Sequence, residues 1–100
     1  MHVILWEFVV QPDKIHDFVA AYEATGDWAK LFGLANGYEG TELLSSTESA
    51  NRFITIDRWR SPDDFARFQQ QFGEQYRSLN RQLEGFTLSE RKLGTFTTGE

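Results

Sequence analysis

Two proline-led openings, half a chain apart, divide the sequence into matching halves. Gln11-Pro12-Asp13-Lys14 follows an apolar, β-rich run and leads into a helical pattern; Ser61-Pro62-Asp63-Asp64 does the same after a second such run. Proline is tolerated in the first turn of a helix, where its missing N–H would have had no partner. The chain therefore reads as strand–helix–strand, twice over, and that order narrows the folds open to it to very few.

The first run, Val3 to Val10, is apolar throughout except at Glu7. A strand apolar at both parities is expected to be covered on both faces. Ile15, Phe18, Val19 and Tyr22 then recur at helical spacing, which predicts a helix from Pro12 to Ala24 stopped by Thr25-Gly26. Asp27 is placed to cap a short helix, Trp28 to Phe32, closed by Gly33. Tyr38–Ser46 and Arg52–Arg60 read as strands joined by the turn-rich Thr47–Asn51, hence a hairpin. In the second of these, Phe53, Thr55, Asp57 and Trp59 share one face, and Ile54, Ile56, Arg58 and Arg60 share the other.

Ser61 to Asp64 fits a capping box with Asp in place of Glu, ahead of the stripe Phe65, Phe68, Phe72, Tyr76, Leu79 and Leu83. Gly73 inside that stripe weakens it and predicts a break into two helices. Phe86 to Phe96 is the last strand. Leu93 is out of phase with Phe86 and Leu88, which predicts a bulge near Ser89–Arg91. Thr97–Glu100 reads as a frayed tail.

The order β-α-β-β-α-β is that of the split-βαβ, ferredoxin-like motif. The expected fold is α+β: one domain over residues 1–100, an antiparallel sheet with the first and third strands central, and helices on one face. The other sheet face would be bare and apolar, a liability in a monomer. A homodimer that pairs two such faces into a barrel-like centre is therefore expected. A net charge of −5 with no Lys/Arg cluster argues against nucleic acid and anionic membranes as partners. The lack of cysteine removes thiolate chemistry and fits a reducing compartment, and no leader-like or membrane-length apolar segment is seen, so the cytoplasm is the expected location. His2 and His16 are far apart with no shared spacing and make no metal site.

Several segments carry a family resemblance. They are the opening strand with Glu7 and Pro12, Gly37-Tyr38-Glu39-Gly40-Thr41-Glu42-Leu43-Leu44, Ile54-Thr55-Ile56-Asp57-Arg58-Trp59, Ser61-Pro62-Asp63-Asp64-Phe65 and Leu88-Ser89-Glu90-Arg91-Lys92-Leu93-Gly94. Over Val3 to Phe96 the chain resembles the antibiotic-biosynthesis-monooxygenase (ABM) family, a branch of the dimeric α/β-barrel proteins. The resemblance implies a cofactor-independent monooxygenase of an aromatic or polyketide-like small molecule, needing no cofactor because the substrate is itself the reductant. Trp59 ends its strand as the family's Trp commonly does, whereas Thr55 stands where oxygenases of aromatic polyketides carry Asn. Haem-degrading members place a histidine on the second helix, and this chain has none there. The alternative is a non-catalytic, small-molecule-binding or stress-responsive dimer using the same pocket.

Glu7 is the most suggestive position. A carboxylate buried in an apolar strand either has its pKa raised and serves as a general base, or is paired with Arg58 or Arg91 from a neighbouring strand. Asp57 is a second candidate base, with a salt bridge as the plainer reading. Trp28, Phe32 and Trp59 are candidates for an aromatic substrate pocket, and Phe68, Phe72 and Tyr76 for its helical wall, although such stripes and tryptophans also serve as core.

Overall fold

The structure, a computed structural model, describes residues 1–98. Its elements run β1 (His2–Val10), α1 (Ile15–Tyr22), α2 (Asp27–Phe32), β2 (Tyr38–Ser45), β3 (Arg52–Trp59), α3 (Pro62–Gln71), α4 (Gly73–Leu83) and β4 (Thr87–Thr97). The strands form one four-stranded sheet in the order β2-β3-β1-β4, antiparallel at every pairing. The ferredoxin-like α+β fold is thus in place, with the first and third strands central.

Some boundaries differ from expectation for local reasons. Pro12–Lys14 forms a separate 3₁₀ turn, and α1 starts only at Ile15 and ends at Tyr22. Asp27 lies inside the first turn of α2; Gly26 takes the cap position and no side chain caps it. The expected bulge near Ser89–Arg91 is absent, because Ser89 to Lys92 pair regularly with Val9 to Trp6. The register instead slips at Leu88 and at Leu93, each left without a partner on β1. Thr97 closes β4, and the Thr98 N–H donates to the Met1 carbonyl; residues 99–100 of the expected tail lie outside the described residues.

The break at Gly73 occurs as expected and separates α3 from α4. Ser61 caps α3, its hydroxyl accepting from the Asp64 N–H at 3.2 Å and donating to the Asp64 carboxylate at 2.8 Å. Arg60 grips both Asp64 oxygens at 2.9 Å, and Arg67 adds a further ion pair. These donors, Arg60 and Ser61 foremost, hold the Asp64 carboxyl well below the usual carboxylate range. Gly37 lies directly behind Asp64 with φ +90°, where a Cβ would sit on the Asp64 side chain, so only glycine fits. The Arg60 N–H donates to the Gly37 carbonyl at 2.7 Å, tying the start of β2 to the end of β3.

Side-chain parity sorts the two sheet faces. Ile4, Phe8 and Val10 of β1 and Phe53, Thr55 and Trp59 of β3 are buried beneath the helices. Phe18 and Tyr22 of α1 stack at 4.1 Å and meet Phe8, while Phe32 of α2 and Phe68 of α3 meet Trp59. The opposite parity, Val3, Leu5, Glu7 and Val9 with Ile54, Ile56, Leu44 and Phe96 across the ladder, has no helix over it. Leu44 and Phe96 are 41% and 53% exposed. No helix among the described residues is long and apolar enough to cross a membrane.

Candidate functional site

Between the sheet and the helical layer lies an open cavity with about 460 Å³ of atom-free space, its mouth included. Every strand supplies part of the floor: Trp6 and Phe8 from β1, Thr41 from β2, Thr55 and Asp57 from β3, and Glu90 from β4. Tyr22 of α1, Trp28 and Phe32 of α2, and Tyr76 and Asn80 of α4 form the roof. The Trp28 ring packs on Tyr22, Phe32 and Tyr76 with centroids 5.1–6.1 Å apart, which makes the roof a continuous aromatic surface. A concave, mostly apolar space with a few polar groups is the general form of a small-molecule site.

Asp57 is the chemically distinctive group in it. The register β1–β3–β2 sets Ile4, Asp57 and Thr41 side by side on the helix-facing side of the sheet. Thr41 donates its hydroxyl to Asp57 Oδ1 at 2.7 Å. A hydroxyl has one proton, so the 2.6 Å contact between Tyr38 and Thr41 must be donated by Tyr38. The result is a directed chain, Tyr38 to Thr41 to Asp57. No ion pair reaches Asp57, and its second oxygen makes no hydrogen bond among the described residues. Burial pushes its pKa up to about 6, against the opposing pull of the Thr41 hydrogen bond.

The phenols around it stay protonated at neutral pH. Burial pushes Tyr22 up to about 12 and raises Tyr76 as well, the latter assisted by the negative charge of Asp57. Glu90 is also raised, first by burial and then by Glu84. Among the described residues no group of His, Asp or Glu side chains is arranged to hold a metal ion.

Glu7 stands elsewhere. It projects from the helix-free face of the sheet, accepting two hydrogen bonds from Arg52, one from Nε at 2.8 Å, and one from Arg91 at 3.1 Å. These cations, Arg52 first, lower its pKa. Arg91 is one of the partners expected from the sequence; Arg58 instead pairs with Glu42. Of the expected pocket residues, Trp28, Phe32 and Tyr76 line the cavity with Asp57. Trp59 and Phe68 do not: both are fully buried in the core, at 0% exposure. Phe72 stacks on Phe68 at 5.7 Å, away from the cavity wall. Sequence reasoning missed Trp6, Phe8, Tyr22, Thr41, Thr55, Asn80 and Glu90. Parity groups Trp6 and Phe8 with Ile4 and against Glu7, and the register with β3 then turns that group towards the helices.

The model of the antibiotic biosynthesis monooxygenase family matches residues 1–82. Among solved structures the chain is similar to SnoaB, a cofactor-independent oxygenase from Streptomyces nogalater, with a TM-score of 0.74 and 21% identity over 99% of this chain and 93% of that one. It is similar to a Bordetella bronchiseptica protein described as an antibiotic biosynthesis monooxygenase, with a TM-score of 0.74 and 19% identity over 97% of this chain and 95% of that one. A Nitrosomonas europaea protein so described matches at a TM-score of 0.72 and 13% identity over 100% of both chains. At these identities the likeness is one of fold. No curated protein matches the chain in sequence. With a family model matched across four-fifths of its length, the chain belongs to the antibiotic biosynthesis monooxygenase family.

Proposed function

We propose that this protein is a cofactor-independent monooxygenase of an aromatic, polyketide-like small molecule, with Asp57 as its general base. The observation that carries this is a carboxylate without a cation partner, pushed up to about 6, in an aromatic-walled cavity. A base poised near the working pH combines a large ionised fraction with useful basicity. The family membership and the fold shared with SnoaB support the reaction class.

The reaction converts a ring CH₂ flanked by phenols, as in a hydroxyanthrone, to a carbonyl. Asp57 removes a C–H proton, leaving a delocalised carbanion. That anion passes one electron to O2, and the resulting radical and superoxide combine to a peroxide. Loss of the second C–H proton with O–O cleavage gives the ketone and water, so one O2 is consumed per ketone. The aromatic roof holds the ring and excludes water; Tyr38 and Thr41 keep one Asp57 oxygen occupied, leaving the other for the proton. We further propose that two copies pair through the helix-free sheet face, burying Leu44, Ile54, Ile56 and Phe96.

The test is O2 uptake with a panel of hydroxyanthrones, following the quinone formed. Uptake in one-to-one ratio with quinone, saturating with substrate, is expected. Uptake no faster than in protein-free buffer across the panel would leave a binding protein without this chemistry.

Thr41 offers a finer check. Thr41→Val removes the hydrogen bond that favours the ionised Asp57, so the acid limb of the pH–rate profile should move to higher pH by about one to two units, given that a hydrogen bond to a charged group contributes about 1.5–3 kcal/mol. Thr41→Ser should restore the original midpoint. An unmoved midpoint in Thr41→Val would show that another group titrates in the profile.

A further inference from the structure

The charge lining the cavity has one sign. Asp57 and Glu90 are the charged residues among its described lining, and no Lys, Arg or His joins them. Three carboxylates elsewhere among the described residues are matched with arginine: Glu7 with Arg52 and Arg91, Glu42 with Arg58, Asp64 with Arg60 and Arg67. Asp57 and Glu90 have no such partner among the described residues.

Their placement is as telling as their sign. Asp57 lies level with Ile4 on one side of β1, and Glu90 lies level with Phe8 on the other. Four residues of strand separate the two levels, about 13 Å at the usual rise. The cavity therefore carries a carboxylate towards each end, with Trp6 and Phe8 as the floor between and the neutral Tyr22, Tyr76 and Asn80 above.

From this arrangement we infer that the site takes uncharged, hydroxylated aromatic molecules and refuses their carboxylated counterparts, with Glu90 as the specificity-determining residue. The inference rests on the cavity being the substrate site proposed above. A phenolic hydroxyl donates to a carboxylate in a charge-assisted hydrogen bond, stronger than a neutral one. A ligand carboxylate meets the opposite: like charge in a partly dry space, with no cation among the lining residues, since Lys92, opposite Trp6 on β4, lies outside that lining. Glu90, at the end away from the reacting proton, can therefore discriminate between ligands without taking part in proton removal.

Binding measured with molecules that cannot turn over separates this inference from the reaction. The probes are 1,8-dihydroxyanthraquinone and its 3-carboxylate, already oxidised, titrated against the full chain by quenching of the fluorescence of Trp6 and Trp28, which line the cavity. The neutral quinone should bind about tenfold tighter at low salt, with the ratio shrinking as salt screens the exposed mouth. Glu90→Gln should bring the ratio to about two, and Glu90→Lys should reverse the preference, both with unchanged melting temperature because Glu90 is an exposed strand residue. Equal affinity for the two quinones, a ratio unmoved by either substitution, or no binding of the neutral quinone would each overturn the inference. A charge preference of the expected sign in a protein that consumes no O2 would sustain the inference and sink the oxygenase reading alone.

Discussion

Asp57→Asn should lower kcat/KM for hydroxyanthrone oxidation by about 10²- to 10⁴-fold, the usual contribution of a positioned general base. At 1.36 kcal/mol per tenfold this is about 2.7–5.4 kcal/mol of transition-state stabilisation. Asn keeps the shape of Asp and can still accept from Thr41, so the cavity should persist. The pH dependence gives a second readout. Asp57 titrates at about 6, and only its ionised form accepts a proton, so the rate should climb with pH through that value and then level off. The Asn variant should lack that limb.

Stability should respond in the opposite sense. The folded pKa lies above that of an unfolded carboxylate, about 3.9, so ionising Asp57 costs the folded state. The wild type should therefore lose more stability than Asp57→Asn as pH rises from about 4 to 6, because the raised Glu90 contributes equally to both. Glu7→Gln is the companion variant. It lies on the other sheet face, locked to Arg52 and Arg91, and should leave the rate unchanged. Activity lost in Glu7→Gln and retained in Asp57→Asn would move the chemistry to the helix-free face.

Phe68→Ala should be the most damaging substitution to the fold. Phe68 is fully buried, and its ring lies 5.1 Å from Phe32 and 5.3 Å from Trp59, with Phe65, Phe72 and Tyr76 also in contact. Truncating such a side chain costs about 3–5 kcal/mol, a third or more of the stability of many domains. For a chain of this size the melting temperature should fall by at least about 12 °C. Phe68 does not touch the cavity, so the fraction that remains folded should bind quinone nearly as well as wild type. A large loss of affinity at unchanged melting temperature would return Phe68 to the substrate wall.

The element order was legible because each half of the chain announces itself by proline and period. The central position of β1 and β3 and the break at Gly73 followed from the same patterns. Reading the site was harder, and the reason is parity. Val3 to Val10 is apolar at both phases, so the strand alone does not say whether Glu7 or Trp6 faces the helices. Register decides, because Trp6 stands opposite Thr55, in line with Asp57. Glu90 was hidden by the two slips at Leu88 and Leu93, which shift the phase of β4 relative to β1. Phe68 and Trp59 carry the same aromatic character as Phe32 and Trp28; what separates wall from core is which ring lies deeper, a property of the packed layer rather than of local spacing.

The α2 segment is held differently from the sheet below it. Its backbone hydrogen bonds beyond the helix stay local, from Gly26 to Glu23, Lys30 to Gly26, Gly33 to Ala29, Leu34 to Leu31 and Ala35 to Phe32, with Gly37 anchored to Arg60 at its end. Trp28 and Phe32 meet Tyr22, Tyr38, Trp59, Phe68 and Tyr76 through ring contacts. A lineage could therefore rewrite this ceiling for a new guest molecule, altering its length and its rings, while the ladder that carries Asp57 is inherited intact.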